Sequence, residues 1–177
     1  MVNYKIICVD DEDTFLPIYE KLLANLGYEV ITFTSCLKAL EYIKEHGKKI
    51  IYIFSDYQMP EMNGIDFRRK INQIADDIPF ALVTGYYNLE LAKSAMELQI
   101  NSFVNKPVHS DDLKKLVSIL GEKRKGVLKE ETEMLLFTEH HDIQLPVLDI
   151  TDKQVIHLYL LAPYSTTLAT AERPPCC

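Results

Sequence analysis

The chain has 177 residues and a mass of 20.4 kDa, room for one ordinary domain with an extension or for two very small ones. Hydrophobic residues make up 47% and charged residues 25%, which excludes a collagen, a disordered chain and a disulfide scaffold. The net charge of −7 speaks against a broad nucleic-acid face, and no apolar run approaches the roughly 20 residues of a membrane span.

Charged residues already stand at Lys5, Asp10, Asp11 and Glu12, so no signal peptide is expected and a cytoplasmic location is. Cys8 and Cys36 sit in apolar patterns and read as small buried residues. Cys176 and Cys177 close the chain as a frayed tail rather than a lipidation signal, and no Cys/His spacing suggests zinc.

Lys5 to Asp10 is a short, β-branched apolar run and reads as a buried strand ending in acid. Residues 14–26 carry Phe15, Ile18, Leu22, Leu23 and Leu26 at helical spacing, with Gly27 as the stop. Tyr28 to Phe33 reads as a second strand. Ser35 is placed to cap a helix bearing Leu37, Leu40, Tyr42 and Ile43 that ends near Gly47. Ile50 to Phe54 is the most strand-like run of all, and Asp56 follows it.

A turn-rich loop with Pro60, Asn63 and Gly64 precedes a helix over residues 65–74. Pro79 to Gly85 reads as a fourth strand. Asn88 to Leu98 reads as a helix with Leu91, Ala95 and Leu98 on one face. Ser102 to Val104 is a brief fifth strand before Lys106-Pro107. Ser110 and Asp111 open a last helix with Leu113, Leu116, Val117 and Leu120.

Strands that alternate with helices imply an α/β fold with a parallel sheet covered on both faces, and uniformly apolar strands agree with this. Right-handed crossovers make it an open, doubly wound five-stranded sheet, whose ligands bind at the carboxyl ends of the strands. Strand one ends at Asp10 and Asp11, strand three at Asp56, strand four at Thr84 and strand five at Lys106. Three converging carboxylates repel one another unless a cation joins them, and Mg²⁺ prefers oxygen ligands of this kind. A carboxylate beside such an ion can attack phosphorus, with an ammonium and a hydroxyl offsetting charge on the phosphoryl oxygens. Acyl transfer does not fit, since no Ser/His/Asp set falls on these ends. Dinucleotide binding does not fit either, because the first turn, Asp10-Asp11-Glu12-Asp13, lacks GxGxxG.

Residues 3–121 resemble the response-regulator receiver domain of two-component signalling, the CheY-like form of the flavodoxin-like fold. The resemblance rests on Asp10-Asp11, Asp56, the loop Met59-Pro60-Glu61-Met62-Asn63-Gly64, Thr84-Gly85 and Lys106-Pro107, in order and at matching strand ends. It implies that Asp56 accepts the phosphoryl group. It implies Mg²⁺ held by Asp11 and Asp56, by Asp10 through water and by the backbone carbonyl of Gln58. Lys106 would pair with the acceptor carboxylate and then with the phosphoryl group. Thr84 would be the switch hydroxyl and Phe103 the switch aromatic. Gly64, Gly85 and Pro107 would be structural parts of the site, with the Lys106-Pro107 peptide cis.

The implied partners are a histidine kinase or phosphotransfer protein, and a downstream protein or second copy at the face of helix four, strand five and helix five. Three positions depart from the commonest pattern. Gln58 and Tyr86 bring long side chains near the path of attacking water, and Phe103 lacks the hydroxyl of the commoner tyrosine.

Residue by residue, blander readings stand beside these. Asp10 and Asp11 alone can cap a helix, Thr84 can bond to backbone, Lys106 can be solvated, and Phe103 can be core. Met59 and Met62 read as loop packing, Tyr86-Tyr87 as a partner surface or a helix-opening pair, and Arg68-Arg69-Lys70 as a solvated helix face.

The charged run Glu122 to Gly126 reads as the end of a helix and a boundary between the receiver, 1–121, and an extension, 122–177. Glu130 to Phe137 has helical character. His140-His141-Asp142 reads as a solvated turn. Val147 to Ile150 and Val155 to Leu161 are short apolar runs, and Ala162 to Cys177 is expected to be disordered. The extension has no evident basic recognition helix for DNA.

Two competing readings complete the set. One is a receiver-like binding scaffold without phosphorylation. The other is a haloacid-dehalogenase-like phosphatase, an enzyme whose DxDx(T/V) motif Asp11-Glu12-Asp13-Thr14-Phe15 misses at its last position. The leading reading is a signalling module with no turnover beyond self-catalysed phosphoacceptance and autodephosphorylation.

Overall fold

The computed structural model describes residues 3–86 and 88–140. The chain divides into two compact units, Met1–Leu135 and Leu136–Cys177, and the fold described here is that of the first. Tyr87, the His141-Asp142 pair, the apolar runs after 146 and the terminal cysteines lie outside the described residues.

Five strands alternate with helices: β1 Lys5–Val9, α1 Leu16–Ala24, β2 Glu29–Phe33, α2 Cys36–His46, β3 Ile50–Asp56, α3 Gly64–Asn72, β4 Phe80–Thr84, α4 Leu89–Glu97, β5 Ser102–Asn105 and α5 Ser110–Leu116. A π-helical turn over Val117–Gly121 then leads into α6, Glu122–His140. The sheet order is β2-β1-β3-β4-β5 and every pairing is parallel. This is the expected doubly wound sheet.

The apolar strands follow from burial on both faces. Successive side chains of a strand point to opposite sides, so a sheet covered twice needs apolar residues at every position. Ile7, Val9, Ile53, Phe80 and Leu82 pack against α2, α3 and α4. Their neighbours Ile6, Cys8, Phe54, Ala81 and Val83 pack against α1 and α5. β3 at the centre of the sheet is buried along its whole length. Both Cys8 and Cys36 are buried, as expected.

Short polar residues start three helices. Ser35, Asn63 and Asn88 each accept a backbone N–H from three residues on, satisfying donors that a helix leaves free at its first turn. After α1, Gly27 takes φ +86°, a conformation that favours glycine, and turns the chain into β2.

Three expectations need correction. On α1 the buried face is Leu16, Tyr19 and Leu23, while Ile18 is exposed. Tyr19 fills a core position that aliphatic spacing alone does not mark, because its ring is apolar. Arg68, read as part of a solvated face, is 2% exposed. Its guanidinium donates to the carbonyls of Ile78 at 2.8 Å, Asp76 at 3.0 Å and Leu98 at 3.4 Å, and it lies against the Phe80 ring. Five N–H donors let one side chain serve several backbone acceptors that no helix or strand pairs with.

Glu122 to Gly126, read as a helix end, lies inside α6. Arg124 is buried there, donating to the Ile50 carbonyl at 2.7 Å and the Gly47 carbonyl at 3.2 Å and pairing with Asp77. Leu128, one turn on, joins the α1/α5 side of the core. The packed fold therefore continues past the boundary expected at 121.

Candidate functional site

Parallel pairing brings the carboxyl ends of β1, β3, β4 and β5 to one edge of the sheet. Asp10 follows β1, Asp56 is the last residue of β3, Thr84 the last of β4, and Lys106 follows β5. The backbone N–H of Asp10 donates to the Phe33 carbonyl at 3.1 Å, and that of Lys106 to the Thr84 carbonyl at 3.3 Å, so the sheet pairing holds both residues in place. The Lys106-Pro107 peptide is cis.

One carboxylate oxygen each from Asp10, Asp11 and Asp56 falls within a cluster no wider than 4.8 Å. The Lys106 ammonium bridges two of these acids, 2.7 Å from Asp56 Oδ1 and 3.0 Å from Asp10 Oδ2. The second oxygen of Asp56 accepts the backbone N–H of Gln58 at 2.8 Å, and Asp10 Oδ1 accepts that of Glu12 at 3.1 Å. Asp10 is 0% and Asp56 6% exposed, while Asp11 is more open and lines a cleft with Tyr57, Gln58, Met59, Pro60 and Asn63.

Burial raises the Asp10 carboxyl above its ordinary range, although Lys106 pulls the other way. Burial would lower Lys106, but its bonds to Asp56 and Asp10 outweigh it and hold the ammonium above its usual value. Three acids facing one ammonium leave a surplus of negative charge with oxygen donors aimed inward. That donor set matches a hard divalent cation such as Mg²⁺.

Thr84 is buried at the same edge, but its hydroxyl is engaged with Tyr86. It accepts the Tyr86 N–H at 3.0 Å and lies 3.2 Å from the Tyr86 carbonyl as donor. Tyr86 itself is exposed. Phe103 is half-buried on β5, in register with Leu82, and packs on the α2–α4 side of the core.

Gly64 sits where its backbone N–H donates to the Tyr57 carbonyl at 2.9 Å, and no Cβ fits beside Leu82 and the Asp56 carbonyl. Around Gly85 there is open space, so nothing steric requires glycine there. Met59 is buried and Met62 packs on the same layer, in keeping with loop packing.

Sequence reasoning missed several residues. The Phe15 ring lies 4.7 Å from the Lys106 ammonium, and the Tyr19 hydroxyl donates to Asp10 Oδ2 at 3.4 Å. Glu61 receives the Ser35 hydroxyl at 2.9 Å and the Leu37 N–H at 3.2 Å, tying the loop after Asp56 to the start of α2. The signal for the first pair was available. Phe15 is the N-cap of α1 and Tyr19 stands four residues on, so they share the face turned to the strand ends.

Known proteins share the sequence and fold of this unit. The family model described as the response regulator receiver domain matches residues 6–118. The phosphoglycerate transport system transcriptional regulatory protein PgtA of Salmonella typhimurium is 31% identical over 70% of this chain and 29% of its own length. The transcriptional regulatory protein ZraR of Escherichia coli O157:H7 is 31% identical over 63% of this chain and 25% of its own length. The chain thus spans less than a third of these curated relatives. The crystal structure of a response regulator receiver domain protein from Clostridium thermocellum superposes with a TM-score of 0.65 at 30% identity, covering 70% of this chain and 98% of that one. With its strand order, its acid cluster at the strand ends and the match over residues 6–118, this chain belongs to the response regulator receiver family.

Proposed function

We propose that this chain accepts a phosphoryl group on Asp56 from a phosphohistidine of a kinase or phosphotransfer protein and thereby switches a partner-binding face. The observation that carries the reading is the Lys106 ammonium spanning Asp56 Oδ1 and Asp10 Oδ2 within a three-acid cluster. Mg²⁺ bound by Asp11, Asp56, the Gln58 carbonyl and, through water, Asp10 would neutralise charge on the transferring group.

An Asp56 oxygen attacks phosphorus as the bond from phosphorus to the donor imidazole nitrogen breaks. The other ring nitrogen of the phosphohistidine carries a proton, so the leaving group is neutral imidazole and no proton is needed from Asp56. Lys106 follows the new charge from the carboxylate to the phosphoryl oxygens. Thr84 gives up its bonds to Tyr86 and donates its hydroxyl to a phosphoryl oxygen. Phe103 on β5 responds to the space this vacates. The two arrangements differ in affinity for a partner, which is a population shift rather than a new fold.

The readout face would be α4, β5 and α5. Leu89 and Met96 on α4 and Tyr86 just before it stand out into solvent and offer apolar surface to a protein partner or a second copy. Gln58, two residues after the acceptor, and Tyr86, two residues after Thr84, would set the lifetime of the phosphorylated state through the access of water.

The test is intact mass after incubation with Mg²⁺ and acetyl phosphate, on wild type, on Asp56→Asn, and with chelator. One phosphoryl adduct that requires both Asp56 and Mg²⁺ is expected. No adduct, under conditions that label a control receiver, would overturn the reading and leave a binding scaffold.

A further inference from the structure

Asp10 is fully buried, and a buried carboxylate is costly unless its oxygens accept hydrogen bonds. Oδ1 is served by the Glu12 backbone. Oδ2 has two donors, Lys106 at 3.0 Å and the Tyr19 hydroxyl at 3.4 Å. These two are not equivalent. Lys106 divides its ammonium between Asp10 and Asp56, with the shorter contact to Asp56 at 2.7 Å. Tyr19 is 3% exposed and fixed among Leu16, Leu23 and the strand residues of the α1/α5 layer. Its hydroxyl cannot follow charge elsewhere.

We propose that Tyr19 is a positioning residue of the Mg²⁺ site: its hydroxyl orients Asp10 and keeps Oδ2 paired when Lys106 turns to another group. The inference rests on the Mg²⁺-dependent reading above. Outer partners of metal-binding carboxylates act in this way, by fixing the orientation of the acid and supporting its charge. The ring of Phe15, the N-cap of α1, adds a second contact at the Lys106 ammonium, so the start of α1 bears on both Lys106 and the acid it pairs with.

A core tyrosine with a merely satisfied hydroxyl would behave differently. Removing its hydroxyl would lower stability without changing affinity for a cation. The experiment is therefore a calorimetric titration of the full chain with Mg²⁺, well below the unfolding midpoint, on wild type, Tyr19→Phe, Tyr52→Phe and Asp11→Asn. Tyr52→Phe is the control, since Tyr52 lies in the same apolar layer, stacked on Phe54. The expected result is Mg²⁺ affinity about tenfold weaker in Tyr19→Phe, the low end for outer-shell partners, and unchanged in Tyr52→Phe.

In an Asp10→Asn background, Tyr19→Phe should add little further loss, because both changes act through one carboxylate. Equal affinity of Tyr19→Phe and wild type, or strictly additive losses in the double variant, would overturn the inference alone. Wild type that binds no Mg²⁺, or binds it as well after Asp11→Asn, would overturn the receiver reading and this inference together.

Discussion

A methyl group is enough to test how closely the site is built at Gly64. An added Cβ would collide with Leu82 Cδ2 and stand 2.7 Å from the Asp56 carbonyl oxygen, and the backbone cannot yield as a flexible side chain would. Gly64→Ala should cost about 1–3 kcal/mol, the range for forcing atoms into a packed interior, and should displace Asp56 and slow the phosphoryl acceptance proposed for it. Gly85→Ala meets no atom and should stay within about 0.5 kcal/mol of wild type. Urea unfolding of the two variants checks both, and equal losses would refute the steric argument. Asp10, Asp56 and Lys106 were legible as residues because each is a charge placed at the end of an apolar run. Tyr19 was legible only as a neighbour of Phe15 on one helix face, because its bond to an acid nine residues earlier leaves no mark in periodicity.

Among the elements, β3 was the plainest in the sequence and α6 the least. Every residue of β3 is buried, so its pattern is simply apolar. Opposite the site, the ladder between β1 and β3 skips a residue. Lys5 pairs with Ile50 but Ile6 with Tyr52, leaving Ile51 as a bulge. Gly121 passes close to that bulge, where a Cβ would lie 3.1 Å from Val117 Cγ1 and 3.6 Å from Ile51 Cδ1. Arg124 then reaches the Ile50 carbonyl beside it. Arg124→Met keeps an apolar stem but strips the donors from two backbone carbonyls. It should cost about 1–3 kcal/mol in urea unfolding, the price of unpaired buried acceptors. Full stability of this variant would show that the start of α6 is not part of the receiver fold. The charged run Glu122 to Gly126 hid this role, since a buried arginine and a solvated one are the same letter.

For the whole molecule, the acid cluster sets stability against function. Asp10 has its carboxyl raised by burial, so the folded chain holds that proton more tightly than the unfolded chain does. Its contribution to stability is therefore most favourable at low pH and declines as pH rises from about 3.9, the ordinary value, through the raised one. In chelator, Asp10→Asn should be more stable than wild type by a margin that grows over this window and levels off above it. Urea unfolding across the acid range measures the margin, and a constant margin would exclude burial of Asp10 as its cause. Mg²⁺ should narrow the margin, because a ligand that binds the folded wild type more tightly than the folded variant stabilises wild type more by mass action. By itself the sequence determined the α/β class, the five strand–helix units and the charges that end three of the strands, because periodicity and sharp changes from apolar to charged are local properties of the chain. Only the tertiary structure decided which donors reach Asp10, that Thr84 is engaged with Tyr86, and that Arg68 and Arg124 are buried, because those outcomes depend on which distant backbone carbonyls and acids the fold brings within hydrogen-bond reach.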